Sequence, residues 1–347
     1  MLPDFFSSEL PLGQSLLLVL DHYLALPNPQ DSKLLACYLA QDYRLLNKCF
    51  ILYCLGESRS GKSTFCKIAS RLTNSTILGA NSSVSAIRRT INALKFRNYS
   101  LILDDWNKST FSNNQLYQLL KNSVDKATAK EFLSSSDTDK GVIEFSTFSP
   151  KIISTTFNIT REVDNFIELI NRLYIIDFKR SSNSDLPQID DEDDYDIDLS
   201  IYWEDKEEDF KELLRSLRNK GLNISQWERT KPLLAVGLFQ KVFTSASEGW
   251  DYFKDYWDRV NKKFDSPTLK SVILEFIEAH NLNAVETNRD WLVDKITSDT
   301  LNAYVKSLIK YGYLPLDRLT NSEFCNCMSE LGYKQELVDK IPRWVLK

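Results

Sequence analysis

Apolar positions recur at helical spacing through residues 1–48, with Leu16, Leu17, Leu20, Tyr23 and Leu24 followed by Leu34, Leu35, Tyr38 and Leu39. They predict a small helical leader packed beside the next domain. The period then changes. Cys49–Leu55 (CFILYCL) is a short unbroken apolar run, the pattern of a strand buried on both faces of a parallel sheet. Helical spacing returns over Ser63–Leu72, and again over Ser83–Leu94 through Val84, Ile87, Ile91 and Leu94. Short apolar runs at Thr76–Leu78, Ser100–Leu103, Lys151–Thr155 and Leu173–Phe178 predict further strands, and Gln115–Leu120 a further helix. Strands alternating with helices predict an α/β fold with a parallel sheet flanked by helices. Between them, Glu131–Phe148 alternates polar and apolar residues around Asp137–Gly141, as a β-hairpin does.

The pattern fails after Phe178. Residues 181–209 are too charged and too poor in apolar residues to pack well, and are expected to be an acidic linker or exposed loop. Residues 210–264 are helical and aromatic-rich, and residues 265–347 form a further unit that opens on the helix signal SPTLKSVILEFIEAH. The expected division is therefore a leader (1–48), a core (49–180), the acidic linker (181–209), a helical region (210–264) and a C-terminal domain (265–347).

Composition and charge refine this picture. The 347 residues suit two or three domains, with 43% hydrophobic and 26% charged residues, ordinary globular usage. The net charge of −5 hides an asymmetry: Ser181–Lys211 holds thirteen acidic residues against two lysines, a net of −11, which leaves +6 on the remainder. A polyanion partner is therefore not excluded. No apolar run is long enough to span a membrane, and Ser15–Leu20 lacks the flanks of an export signal, so no membrane partner is expected. Cys37, Cys49, Cys54, Cys66, Cys325 and Cys327 contain no CxxC pair and are expected as buried free thiols of a cytoplasmic protein. His22 and His280 are too few and too far apart for a zinc site or a catalytic triad, and the seven tryptophans are expected in packing roles.

The strongest chemical signal lies directly after the first strand. GESRSGKST, comprising Gly56, Glu57, Ser58, Arg59, Ser60, Gly61, Lys62, Ser63 and Thr64, has the spacing of a phosphate-binding P-loop (Walker A). Gly56 and Gly61 leave room for backbone N–H groups to cradle phosphates, Lys62 reaches the β- and γ-phosphates of ATP, and the Ser63 hydroxyl ligates Mg²⁺. Downstream, Leu101–Leu103 lead into Asp104 and Asp105, a Walker B arrangement. In it Asp104 holds the metal through water and Asp105 orients or deprotonates the attacking water. A third strand runs through SPKIISTTFNIT, where Thr156 and Asn158 compete for hydrogen bonding to that water and the γ-phosphate.

Phosphate loop, acidic strand and a polar strand end, in this order at Gly56, Asp104 and Asn158, resemble the superfamily 3 helicases, particularly the helicase part of poxvirus-, phage- and plasmid-type primase-helicases. The resemblance covers most of residues 50–180 and roughly 265–347. It implies an AAA+-like ATPase that assembles as a ring, a hexamer on single-stranded DNA. The family places an arginine before a final strand, written here NRLYIIDF, so the resemblance makes Arg172 a finger that reaches the neighbouring subunit's ATP. It also implies a hairpin with a basic tip on DNA, for which Lys126, Lys130 and Lys140 lie in the matching interval. Residues 298–334, with Arg343, Trp344 and Val345, resemble the winged-helix unit that often ends phage and plasmid primase-helicases. The third motif departs from the family in reading TTFN. A leader of about 48 residues cannot house a primase core, so priming is expected from a separate primase or replication initiator.

The expected activity is that of an ATP-driven DNA helicase or translocase serving a plasmid, phage or mobile element. One alternative is a P-loop switch or loader acting on protein partners; a second, disfavoured by the lack of a lid arginine cluster, is a small-molecule kinase.

Overall fold

In the computed structural model, the described residues are 5–6, 10–73, 75–94, 99–134, 142–180, 186–187, 189, 197, 199–264, 273, 305–306, 321–330, 333–338 and 341–346. They divide into a unit of residues 1–260 and a unit of residues 261–347.

The first unit is built on five parallel strands in the order β2-β3-β6-β1-β7, where β1 is Ile51–Gly56, β2 Ile77–Gly79, β3 Leu101–Trp106, β6 Lys151–Thr155 and β7 Leu173–Phe178. The α/β class and the parallel sheet read from the sequence are what the chain adopts. The central strands are buried along nearly their whole length, as unbroken apolar runs require. Between strands run α3 (Lys62–Leu72), α4 (Val84–Leu94), α5 (Lys108–Phe111), α6 (Asn114–Asn122) and α7 (Val163–Ile170). Strand β6 enters between β1 and β3, so three strand ends lie side by side where the chain's winding changes direction.

A two-stranded antiparallel ribbon, β4 (Lys130–Ser134) with β5 (Val142–Ser146), stands outside this sheet. Its turn, with Lys140, lies outside the described residues. The Arg88–Glu131 ion pair ties it to α4.

The residues preceding β1 form α1 (Leu12–Tyr23) and α2 (Asp31–Ala40), and they are fixed to the sheet. The Tyr38 hydroxyl lies 2.9 Å from the Phe50 carbonyl and 2.8 Å from that of Lys151, and accepts from the Lys151 N–H at 2.9 Å. On the same unit lie α8 (Glu207–Ser216), α9 (Ile224–Phe239) and α10, which spans Ala246–Phe264 and so crosses the unit boundary. Helix α9 starts at a capping box, in which Asn223 Oδ1 accepts from Gln226 N at 2.8 Å and Gln226 Oε1 from Asn223 N at 3.3 Å. Edge strand β7 is closed off by α10: the Ile175 N–H donates to the Tyr256 hydroxyl at 2.7 Å.

The acidic stretch differs from its reading as a linker through Asp209. Leu199 and Trp203 are buried in a short 3-10 turn, and the Trp203 indole donates to the Ala40 carbonyl at 3.0 Å. Helix α8 already begins at Glu207, with Glu207, Glu208 and Asp209 in its first turn, where carboxylates favour the helix dipole. Phe210 packs on Trp203 edge-on at 4.9 Å. A few well-placed aromatics therefore dock a segment that its average composition marks as solvated.

In the second unit, α11 (Asn321–Glu330) precedes an antiparallel pair, β8 (Tyr333–Val338) with β9 (Ile341–Leu346). The helix expected over SPTLKSVILEFIEAH lies outside the described residues except Ile273.

Candidate nucleotide site

Strand β1 delivers Gly56 to the carboxyl edge of the sheet, where the chain must turn without a side chain. A Cβ on Gly56 would stand 2.1 Å from the Phe178 carbonyl oxygen and 2.7 Å from Ser60 Oγ, so only glycine fits. Gly61 caps α3 at φ +93°, a left-handed conformation that glycine adopts freely, and Arg59 within the same turn has φ 65°. These two glycines shape the cradle that the sequence pattern anticipates.

Lys62 is buried. Its Nζ donates to the carbonyls of Gly56 and Glu57, each at 2.6 Å, and to Ser60 Oγ at 3.3 Å. Burial pushes this ammonium below the usual lysine range, while Cys54, Asp104 and Asp105 act the other way. Ser63 is exposed in the first turn of α3.

The two carboxylates sit at an irregularity. Pairing of β3 with β6 shifts between Leu103 and Trp106, and Asp105 has φ 57°. The shift interrupts the β3–β6 ladder at both carboxylates while Asp104 stays paired with Gly79 of β2, and the Asp105 N–H donates to Asp104 Oδ1 at 3.0 Å. Thr155 holds the bulge from β6: its hydroxyl donates to the Trp106 carbonyl and accepts from the Phe157 N–H at 2.9 Å.

These groups open on one cavity of about 680 Å³, lined by Ser58–Thr64, Lys67, Asp104, Asp105, Ser154 and Thr156, and also by Tyr23, Leu24, Ala25, Phe178, Leu186, Pro187 and Ile189. Gly56 and Glu57 are not in the lining; they serve through the carbonyls that hold Lys62. Of the two competing residues, Thr156 lines the cavity. Asn158 caps the next turn, its Oδ1 accepting from the Thr160 N–H at 3.1 Å and the Thr160 hydroxyl at 2.7 Å.

The remaining candidates lie elsewhere. Arg172 precedes β7, whose first residue pairs with Ile51 and whose last pairs with Gly56. At about 3.3 Å per residue it is roughly 20 Å from the phosphate loop. Its guanidinium donates to the Glu168 carbonyl, and it lines a second cavity of about 300 Å³ with Lys48, Lys121, Asp125 and Glu228. Lys126 Nζ donates to the Arg44 carbonyl at 3.0 Å, and Lys130 pairs with Glu144 at 2.9 Å.

Sequence reasoning missed Arg180 and the apolar lining residues Leu186, Pro187 and Ile189. Arg180 Nε donates to the Ser58 carbonyl at 3.1 Å, from just past the end of β7. The signal for it is a cation directly after a strand that ends beside the loop. For the apolar lining it is the Leu186-Pro187 pair and Ile189 standing in an otherwise acidic run.

No protein-family model matches the chain, and no curated protein matches it. Among solved structures it is similar to a crystal structure of JCV helicase bound to a small acetamide compound, at 13% identity and a TM-score of 0.31, over 70% of this chain and 60% of that one. The chain thus spans less than two thirds of that protein's length, and a likeness at this level carries no argument about function.

Proposed function

We propose that this chain is a Mg²⁺-dependent ATPase of the P-loop class, which forms a ring and moves on single-stranded DNA. One observation carries the ATPase part: Lys62, Ser63, Asp104, Asp105 and Thr156, from three adjacent strand ends, line a single cavity beside a loop in which a side chain at Gly56 has no room. ATP with Mg²⁺ fits this donor set, with hydroxyl and carboxylate on the metal and an ammonium on the phosphates. When bound, the metal polarises the γ-phosphoryl group. With both bound, Lys62 would exchange its loop carbonyls for phosphate oxygens, Ser63 and Asp104 would hold the cation, Asp105 would take the proton of the attacking water, and Thr156 would orient it.

The DNA and ring parts rest on the family resemblance and on Arg172, which is too far from its own loop to serve it and so completes a site only in a second copy. The C-terminal helix followed by an antiparallel pair supports the winged-helix reading of that unit. The protein-partner switch is kept as the second reading because of a specific observation: Lys126 and Lys130, two of the three lysines assigned to DNA, already have protein partners. Steady-state hydrolysis with and without single-stranded DNA, on wild type and Lys62→Ala, with sizing in a non-hydrolysed analogue, decides. DNA stimulation with a ring-sized species supports translocation; turnover indifferent to DNA moves the function to the switch.

A further inference from the structure

Arg229, in the second turn of α9, is buried at the amino end of β7, away from the phosphate loop. Its Nη1 donates to the Leu173 carbonyl at 3.1 Å and reaches the Ile170 carbonyl at 3.5 Å, while Nε donates to the Ser225 carbonyl at 3.3 Å and Nη2 to Ser225 Oγ at 3.4 Å. All four acceptors are neutral. The guanidinium lies over the ring of Trp257, 4.1 Å from its centroid, and the Trp257 indole is itself fixed by donating to Thr230 Oγ1 at 2.8 Å. The Tyr174 hydroxyl donates to the carbonyl of Arg229, so α9 and the start of β7 are tied in both directions.

A buried cation without a carboxylate partner is a costly way to fill space, because an apolar side chain of similar volume often stabilises a core as well or better. What the guanidinium supplies that an apolar side chain lacks is a rigid fork of N–H donors. Two of its acceptors belong to the last residue of α7, Ile170, and the first of β7, Leu173. Between those two residues lie Asn171 and Arg172. The Ile170 carbonyl is at a helix C-terminus, where acceptors lack intrahelical partners and a cation is favoured. The backbone of Arg172 is held as well: its N–H donates to the Leu169 carbonyl at 2.7 Å, and its carbonyl accepts from the Ile51 N–H at 2.9 Å. We propose that Arg229 is a positioning residue for Arg172, clamping both flanks of the turn that carries it and so setting where the chain presents that arginine to a neighbouring copy. This rests on the ring reading above, and gives α9, which lies outside the sheet, a direct part in turnover at the adjoining subunit's site.

The test is steady-state ATP hydrolysis by the full chain carrying Arg229→Met, which keeps an unbranched side chain on Trp257 and removes the fork. A misplaced arginine acts on the transition state, so kcat should fall about tenfold or more with the KM for ATP changed less than about twofold. Mixing experiments then separate positioning from general damage. Arg229→Met mixed in equal amounts with Lys62→Ala should regain activity, since its own loop is intact and the partner chain supplies a well-placed arginine; mixed with Arg172→Ala it should regain none, because every arginine is then absent or misplaced. Arg229→Lys, a milder change that leaves one cation and no fork, should show the same mixing pattern with a smaller loss of kcat, and carries the test if the methionine variant does not fold. An unmoved kcat, a raised KM at unchanged kcat, regain with Arg172→Ala, or no regain with Lys62→Ala overturns the proposal. If Arg172→Ala and Lys62→Ala do not restore each other, the ring reading fails instead, and the positioning role falls with it.

Discussion

Lys151 is the first residue of β6, and no part of it reaches solvent. Its Nζ donates to the Thr147 carbonyl, the Ser149 carbonyl and Ser149 Oγ, each at 3.0 Å. Two effects oppose each other here. Burial pushes the ammonium from 10.5 down to about 7, while Cys49 acts the other way. Three acceptors for three N–H donors, however, is the coordination of a charged ammonium. If burial wins, the unfolded chain carries a proton between pH 7 and 10.5 that the folded chain does not, so this lysine's contribution to stability rises with pH through that window. The gain from pH 7 to pH 9 is about 2 kcal/mol.

Other groups titrate in the same range. Cys37, Cys49, Cys54 and Cys66 are buried thiols whose pKa values burial raises, and each costs stability as pH rises through the thiol range of the unfolded chain. They are common to wild type and Lys151→Met, so the difference between the two proteins isolates the lysine. Urea unfolding of both at pH 7 and pH 9 should show wild type gaining about 2 kcal/mol relative to the variant. The acceptors that methionine leaves unpaired add a cost to the variant that does not vary with pH. A difference constant to within about 0.5 kcal/mol would refute the reasoning and show that the three acceptors keep the ammonium charged throughout.

Four further outcomes are expected. Lys62→Ala should lower steady-state ATP turnover by about a hundredfold or more, and retention of a tenth of wild-type rate would undo the loop's assignment. At Asp105, alanine should cost about 1 kcal/mol in chemical unfolding and glycine nothing, because φ 57° suits glycine, and both should stop hydrolysis; equal stability of the two would show that the left-handed backbone is not enforced. Arg180→Ala should raise the KM for ATP a few-fold at unchanged kcat, with Arg180→Lys restoring it through its own N–H on the Ser58 carbonyl; an unmoved KM would mean that contact does not shape the loop. Arg172→Ala and Lys62→Ala, each inactive alone, should regain activity when mixed in equal amounts, since about a quarter of the interfaces then pair an intact loop with an intact arginine; no regain would remove Arg172 from the neighbour's site.

What the sequence made legible was local. A buried strand, a glycine-bounded loop and a helix follow one another within Ile51–Leu72, and each leaves its own mark in apolar run, glycine spacing or helical period. The hairpin over Glu131–Phe148 was legible for the same reason, and the structure adds its register, Glu131 opposite Phe145. Contacts between distant segments were not. Nothing near SPKIIST says that Tyr38, 113 residues earlier, covers Lys151 and takes it out of water. Composition marked the acidic stretch as solvated because an average over it hides Leu199 and Trp203, which bury against helices that precede and follow it. The site divided along the same line. The loop and the two aspartates carry motif spacing, whereas spacing could not tell that Thr156 lines the cavity and Asn158 caps the next turn.

Strand β7 ties the two halves of the proposed chemistry together. Its carboxyl end abuts the loop: the Phe178 carbonyl fills the space a side chain on Gly56 would need, and Arg180 reaches the Ser58 carbonyl. Its amino end carries Arg172, roughly 20 Å away along a strand paired to β1 over six consecutive residues and closed by Tyr256 on the other edge. A strand held on both edges does not stretch, so it fixes the separation between Arg172 and the wall of the phosphate loop. On the proposed ring reading, the arginine presented to one neighbour is therefore set at a fixed distance from the chain's own cavity.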